Sequence, residues 1–228
     1  MLRWQTIDRV DTPEGRLELR QRGDLDFLIT IAGRVLMTST AHRSEDELAR
    51  VACAPLQGRP RPRLLLGGLG MAYTLRSALD QLPRGAEVTV VDLNPRVVAW
   101  CQGPLAPLTG GAANDPRVTI QIADVAQVIA RSPAERYDAI VLDLYDGPRT
   151  GIADPLYSAA ALGRARLALR QGGALAIWSE EPDPRFQERF ASAGFQVSRH
   201  RFGGRGGRAH VVYLGVRKDG WLPSLADR

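Results

Sequence analysis

The sequence predicts a doubly wound α/β fold: a seven-stranded sheet whose last two strands form an antiparallel hairpin, preceded by a small N-terminal β-hairpin domain. Three observations predict it. From Arg63 onward, short runs that are apolar at successive positions alternate with amphipathic stretches, as a parallel sheet covered on both faces requires. The last two runs are joined by a glycine-rich turn and no helix, so they must pair antiparallel. Before Arg63 the chain shows brief extended segments punctuated by glycine.

Taken in order, residues 16–20, 26–31 and 34–37 read as strands, with Gly15, Gly23 and Gly33 at their turns. Ser44-Glu-Asp-Glu47 reads as a capping box that opens a helix running to about Ala54. We therefore expect a hairpin domain over 1–42 and an α/β domain over 43–228. Leu64–Leu66, Glu87–Val91, Val118–Ile122, Ala139–Leu142 and Ala174–Trp178 are the expected parallel strands, and Tyr73–Leu82 is the helix after the first of them. Phe195–Arg199 and Ala209–Leu214 make the final hairpin. Right-handed crossovers leave few other topologies.

A chain of 228 residues suits one α/β domain with a small appendage. Its two cysteines, Cys53 and Cys101, supply no disulfide framework, which fits a reducing cytoplasm. With only three scattered histidines, no metal site is expected. The first residues carry no apolar core of signal-peptide length, and no run approaches the ~20 apolar residues of a membrane span. Net charge is +5, carried by arginine, with basic runs at 59–63 and 199–208. Both read as solvated connections, and no nucleic-acid partner is expected.

The chemistry gathers at the ends of the parallel strands. The first leads into Gly67-Gly68-Leu69-Gly70, where glycines let the backbone turn sharply and approach a ligand at a helix N-terminus. A tight strand-to-helix connection is the alternative account of them. The second ends at Asp92-Leu93, an acid placed for both hydroxyls of a ribose or for capping the helix that starts at Pro95. At the end of the third, Asp124-Val125 can receive an adenine amine or cap the helix 125–130. The fourth ends at Asp143-Leu-Tyr145-Asp146-Gly-Pro. Each acid alone is ambiguous. Four successive strand ends so furnished, along the one edge where open α/β sheets bind ligands, point to a nucleoside. A dinucleotide is the competitor, but the turn lacks the third glycine, and the acidic segment suits a cationic sulfonium and repels a pyrophosphate.

These residues carry a resemblance. Leu66–Gly68, Val91-Asp92, Asp115–Val118, Ala123-Asp124, Tyr137-Asp138, Asp143–Pro148, Asp154–Tyr157 and Gly172-Gly173 make the chain similar to the spermidine synthase-like branch of the class I S-adenosylmethionine-dependent methyltransferase superfamily. The resemblance implies S-adenosylmethionine or its decarboxylated form as co-substrate, with no metal. It implies a donor site of Gly67, Gly68, Gly70, Asp92, Leu93, Asp124, Val125 and Asp143, with Asp92 on the ribose and Asp124 on the adenine. Asp143 becomes the catalytic acid–base toward an amine, and Asp146, Tyr145 and Tyr157 shape the acceptor pocket, although packing accounts equally well for the two tyrosines. Glu45–Glu47 would attract a cationic amine, and a homodimer is implied. There are departures. The segment Leu69–Ala72 lacks the aspartate that reads an aminopropyl ammonium, Glu45-Asp46-Glu47 stands where the family has Tyr-His-Glu, and the glutamine after 31–33 is missing. Aminopropyl transfer, slightly favoured, and methyl transfer to a small molecule both stay open. So does a non-catalytic nucleoside- or polyamine-binding protein, against which the retained Asp143 argues.

Overall fold

The computed structural model describes residues 2–144, 155–202 and 210–218. Gln5–Thr12 (β1), Gly15–Arg22 (β2), Asp26–Ile31 (β3) and Arg34–Thr38 (β4) pair in sequential order as an antiparallel sheet. Three of these strands follow from alternation of apolar and polar residues. The first, mostly polar and exposed, is held by pairing with β2 along nearly its whole length.

Helix α1 (Arg43–Cys53) starts two residues earlier than its sequence suggests, and no capping box forms. The N-cap is His42, without a side-chain bond, and Ser44 falls inside the first turn, where its hydroxyl donates to Glu45 at 2.6 Å. The His42 ring is used elsewhere: it stacks on Tyr73 with centroids 4.2 Å apart, and Nδ1 lies 3.0 Å from Asp46.

The second sheet follows as β5 (Arg63–Gly67), α2 (Tyr73–Gln81), β6 (Glu87–Asp92), α3 (Pro95–Gln102), β7 (Val118–Ile122), α4 (Val125–Arg131) and β8 (Tyr137–Leu142). It continues with α5 (Ala159–Ala168), β9 (Leu169–Ser179), α6 (Pro184–Ser192), β10 (Phe195–Phe202) and β11 (His210–Arg217). The spatial order is β10-β11-β9-β8-β5-β6-β7. The strands β5 to β9 run parallel, while β11 is antiparallel to both β9 and β10. This is the doubly wound seven-stranded sheet expected of the sequence. The turn joining the last two strands lies outside the described residues.

Because side chains alternate across a strand, the sheet separates two cores. Leu64, Leu66, Val88, Val90, Ala139 and Val141 face α1, α2 and α3. Leu65, Val91, Ile140, Leu142, Leu175 and Ile177 face α4, α5 and α6. Burying each such side chain contributes about 1.5–3 kcal/mol, so a charge on either face is excluded unless it is paired. Asp138 is one such exception. It is fully buried at the start of β8 and accepts from Arg59 at 2.5 Å and the Arg63 amide at 2.8 Å, with Arg170 3.4 Å away. The arginine–proline stretch before β5 is thus pinned to the base of the sheet, contrary to its reading as a solvated connection. No described helix is long and apolar enough to cross a membrane.

Candidate functional site

Strand β5 stops between its two parallel neighbours, and the turn after it is tied to both. The Asp143 amide donates to the Gly67 carbonyl and the Gly68 amide to the Val91 carbonyl, each at 2.9 Å. A Cβ on Gly68, whose φ is +88°, would lie 2.1 Å from the Asp143 carbonyl oxygen. One on Gly67 would lie 2.8 Å from Val125, and one on Gly70 2.7 Å from the Met37 sulfur. Gly68 is therefore required by close approach to backbone, whereas the contacts at Gly67 and Gly70 are with side chains, and Gly70 is favoured instead by its left-handed φ of +53°.

The acids divide by what their oxygens do. Asp92 accepts from the Leu69 amide at 2.9 Å and the Asn94 amide at 2.8 Å, bridging the glycine turn and the end of β6. Burial nevertheless pushes its carboxyl above the ordinary value. Asp92 does not cap α3; Asn94 does, by accepting from the Arg96 amide. Asp124 does cap its helix, accepting from the Ala126 amide at 2.8 Å, and it lies outside the cavity lining. Val125 is buried against Gly67, and Leu93 is exposed on the cavity rim.

Asp143 follows the end of β8. The Thr74 hydroxyl donates to it at 2.5 Å, from the first turn of α2. Burial, reinforced by the neighbouring charge of Glu45, pushes the Asp143 carboxyl up to about 7, with the Thr74 bond opposing. A cavity of about 870 Å³ joins these groups, bounded by the carboxyl edge of the sheet and the inner face of the N-terminal sheet. Gly68, Gly70, Asp92, Leu93, Asp143 and Glu45 all line it. Of the other α1 acids, Asp46 bonds His42 and Glu47 pairs with Arg50 at 2.5 Å. Sequence reasoning missed Thr74, Met37 and Trp178; the threonine directly after the first residue of α2 was the available signal, and the other two carried none.

Tyr157 is not brought to the cavity. Its side chain is buried in the second core, edge-on to Phe186 with centroids 5.8 Å apart, and its carbonyl accepts from Arg189. The expectation that it shapes an acceptor pocket is corrected by that packing. Tyr145 and Asp146 lie outside the described residues.

The model of the spermine/spermidine synthase domain matches residues 52–190, more than half of the chain. The chain belongs to this family. Within it, the polyamine aminopropyltransferase of Korarchaeum cryptofilum is 35% identical over 121 residues, 53% of this chain and 36% of the relative. Putrescine N-methyltransferase 2 of Nicotiana tabacum is 30% identical over 158 residues, 67% of this chain and 42% of the relative. The chain spans about a third of the length of the first curated relatives it matches. Spermidine synthase from Thermotoga maritima shares the fold, with a TM-score of 0.75 at 18% identity over 94% of this chain and 73% of that one.

Proposed function

We propose that the protein is an alkyltransferase that takes S-adenosylmethionine or its decarboxylated form as donor and an amine as acceptor, with aminopropyl transfer favoured. The observation that carries the reading is Asp143: a carboxyl held near 7, within reach of the charge of Glu45, in a cavity that also contains the glycine turn and Asp92.

The residues present fit such a donor. Glycine at 68 and 70 leaves the strand end open, and Gly68, Gly70 and Leu93 line the cavity, while Gly67 and Val125 pack against each other behind them. Each Asp92 oxygen makes one hydrogen bond to the backbone, so lone pairs remain for the hydroxyls of a ribose. Asp124 caps α4 through one bond and keeps lone pairs for an adenine amine, but it lies outside the lining of the cavity. The donor brings a sulfonium, which is already a good leaving group, and positioning is the protein's main contribution. The nitrogen–carbon bond forms as the carbon–sulfur bond breaks, the electron pair leaves on sulfur as a neutral thioether, and the nitrogen's surplus proton passes to Asp143. Glu45 and Asp143 together favour a cation, which draws an amine to that corner.

Methyl transfer is the second reading. The turn Leu69–Ala72 offers no acid to an aminopropyl ammonium, and a putrescine N-methyltransferase is among the relatives. Calorimetric titration with the two donors separately distinguishes them. Tighter binding of the decarboxylated donor supports aminopropyl transfer, and tighter binding of S-adenosylmethionine supports methyl transfer. Binding of neither overturns the proposal. A protein that only binds its nucleoside would show no loss of turnover on Asp143→Asn, having none to lose.

A further inference from the structure

The site is laid out as a row along the carboxyl edge of the second sheet. Register pairs Val91 with Gly67, Gly67 with Leu142 and Leu142 with Ile177. The next residues, Asp92, Gly68, Asp143 and Trp178, therefore stand level on the neighbouring strands β6, β5, β8 and β9. Val141 and Ala176, two residues earlier, belong to the same core, which puts Asp143 and Trp178 on one face of the sheet. Both line the cavity. With strands about 4.8 Å apart, Trp178 lies about 14 Å along the edge from Asp92, and Asp143 stands between them.

A donor whose ribose lies on Asp92 brings its sulfonium toward Asp143. In-line displacement then puts the attacking nitrogen beyond the transferred carbon, further along the row. Trp178 is the next side chain there. It is half-buried, and His210, on the strand flanking β9 at its other side, lies against the indole with ring centroids 5.2 Å apart. An indole so held offers a face of negative potential, which attracts a cation within about 6 Å of its centroid. We propose that Trp178 is an acceptor-binding residue whose ring face carries the ammonium of an alkylamine acceptor. This rests on the alkyl transfer proposed above. As the nitrogen–carbon bond forms and the carbon–sulfur bond breaks, positive charge passes from sulfur to nitrogen, so the same ring stabilises the transition state more than the neutral amine. The sulfur departs as the thioether and the proton goes to Asp143; the ring itself forms no bond.

The test uses Trp178→Phe, which keeps a ring, and Trp178→Leu, which keeps bulk without one. Each protein is loaded with the thioether left by its preferred donor, S-adenosylhomocysteine or 5′-methylthioadenosine, and titrated calorimetrically with 1,4-diaminobutane. The expected result is a Kd for the diamine raised on the order of tenfold by Trp178→Leu and no more than about threefold by Trp178→Phe, while neither moves the Kd of the thioether more than about twofold. The diamine should also change the tryptophan emission of the loaded parent, and Trp178→Phe should abolish that change. The emission comparison decides the matter if the unfolding temperature shows that Trp178→Leu does not fold. Equal losses in the two variants, no loss in either, or an unresponsive emission in the parent overturns the inference. So does a thioether affinity that falls in step with that of the diamine. A parent that binds the thioether and no diamine overturns it too, and leaves alkyl transfer standing. If neither donor binds, the alkyl transfer itself falls, and the inference with it.

Discussion

Asp143 is where charge and burial meet most directly. A carboxyl that titrates at about 7 is half ionised near neutrality, and only the ionised form takes a proton. Activity measured as kcat/KM should therefore rise with pH through about 7. In kcat the same limb should lie lower, because a bound cation pulls the value down. Asp143→Asn should lower kcat by roughly 10²–10⁴-fold and leave donor affinity within a few-fold, as steady-state kinetics and titration calorimetry would show. The same residue makes a stability prediction. Its folded value lies above the 3.8 of the unfolded chain, so its contribution is full below 3.8 and lost as pH rises through about 7. Asp143→Asn should thus exceed the parent in stability at pH 8 by on the order of 2 kcal/mol, and by much less at pH 4. Denaturant melts at both pH values check this; a less stable variant at pH 8 would contradict burial as the cause. Gly68 is the companion case. Gly68→Ala forces a Cβ against the Asp143 carbonyl at a φ of +88°, and a loss of about 3 kcal/mol is expected in the same melts.

At the scale of elements, β8 is secured at one end by a charge and leads into Asp143 at the other. Asp138 accepts from Arg59 and from the Arg63 amide, so one carboxylate ties the segment before β5 to the start of β8. Asp138→Ala would leave that amide and the guanidinium without their partner, at a cost of about 3 kcal/mol, since Arg59 itself still reaches water. A thermal melt measures the loss, and a change under about 1 kcal/mol would show that water satisfies the Arg63 amide and the Arg59 and Arg170 guanidinium groups once the carboxylate is gone. The caps show a different economy. Asn94 caps α3, which leaves Asp92 to bridge β6 and the glycine turn, whereas Asp124 is itself the cap of α4.

At the scale of the molecule, the cavity exists because the N-terminal sheet is docked over the carboxyl edge. Trp100 donates its indole N–H to Asp8 at 2.7 Å, and the Tyr73 hydroxyl donates to the Ser39 carbonyl at 2.9 Å. Arg96 lies 3.6 Å from Asp8 and adds to the same contact. Asp8→Ala should cost about 1 kcal/mol, a few degrees in melting temperature. Because it loosens the wall opposite Asp143, it should raise the acceptor KM more than it changes donor affinity; an equal effect on both would place the docking contact outside the acceptor's reach.

The central parallel strands were legible in the sequence because a strand covered on both faces is apolar over most of its length, whereas β7 at the edge is half polar and largely exposed; the acids were legible because each ends such a run. The final antiparallel pair was legible because no helix separates its strands. What only the tertiary structure decided depends on residues far apart in the chain. The polar β1 has no alternation of its own and is formed by its partner. Helix α1 begins at Arg43, and Ser44 caps nothing. Tyr157 is drawn into the second core by Phe186, although its place in the sequence suggested the acceptor pocket. The pairing of Glu45 with Asp143, and of both with the inner face of the N-terminal sheet, arises from one sheet folding over the edge of another. Local periodicity reports which face of an element is buried; it carries no record of what that face will meet.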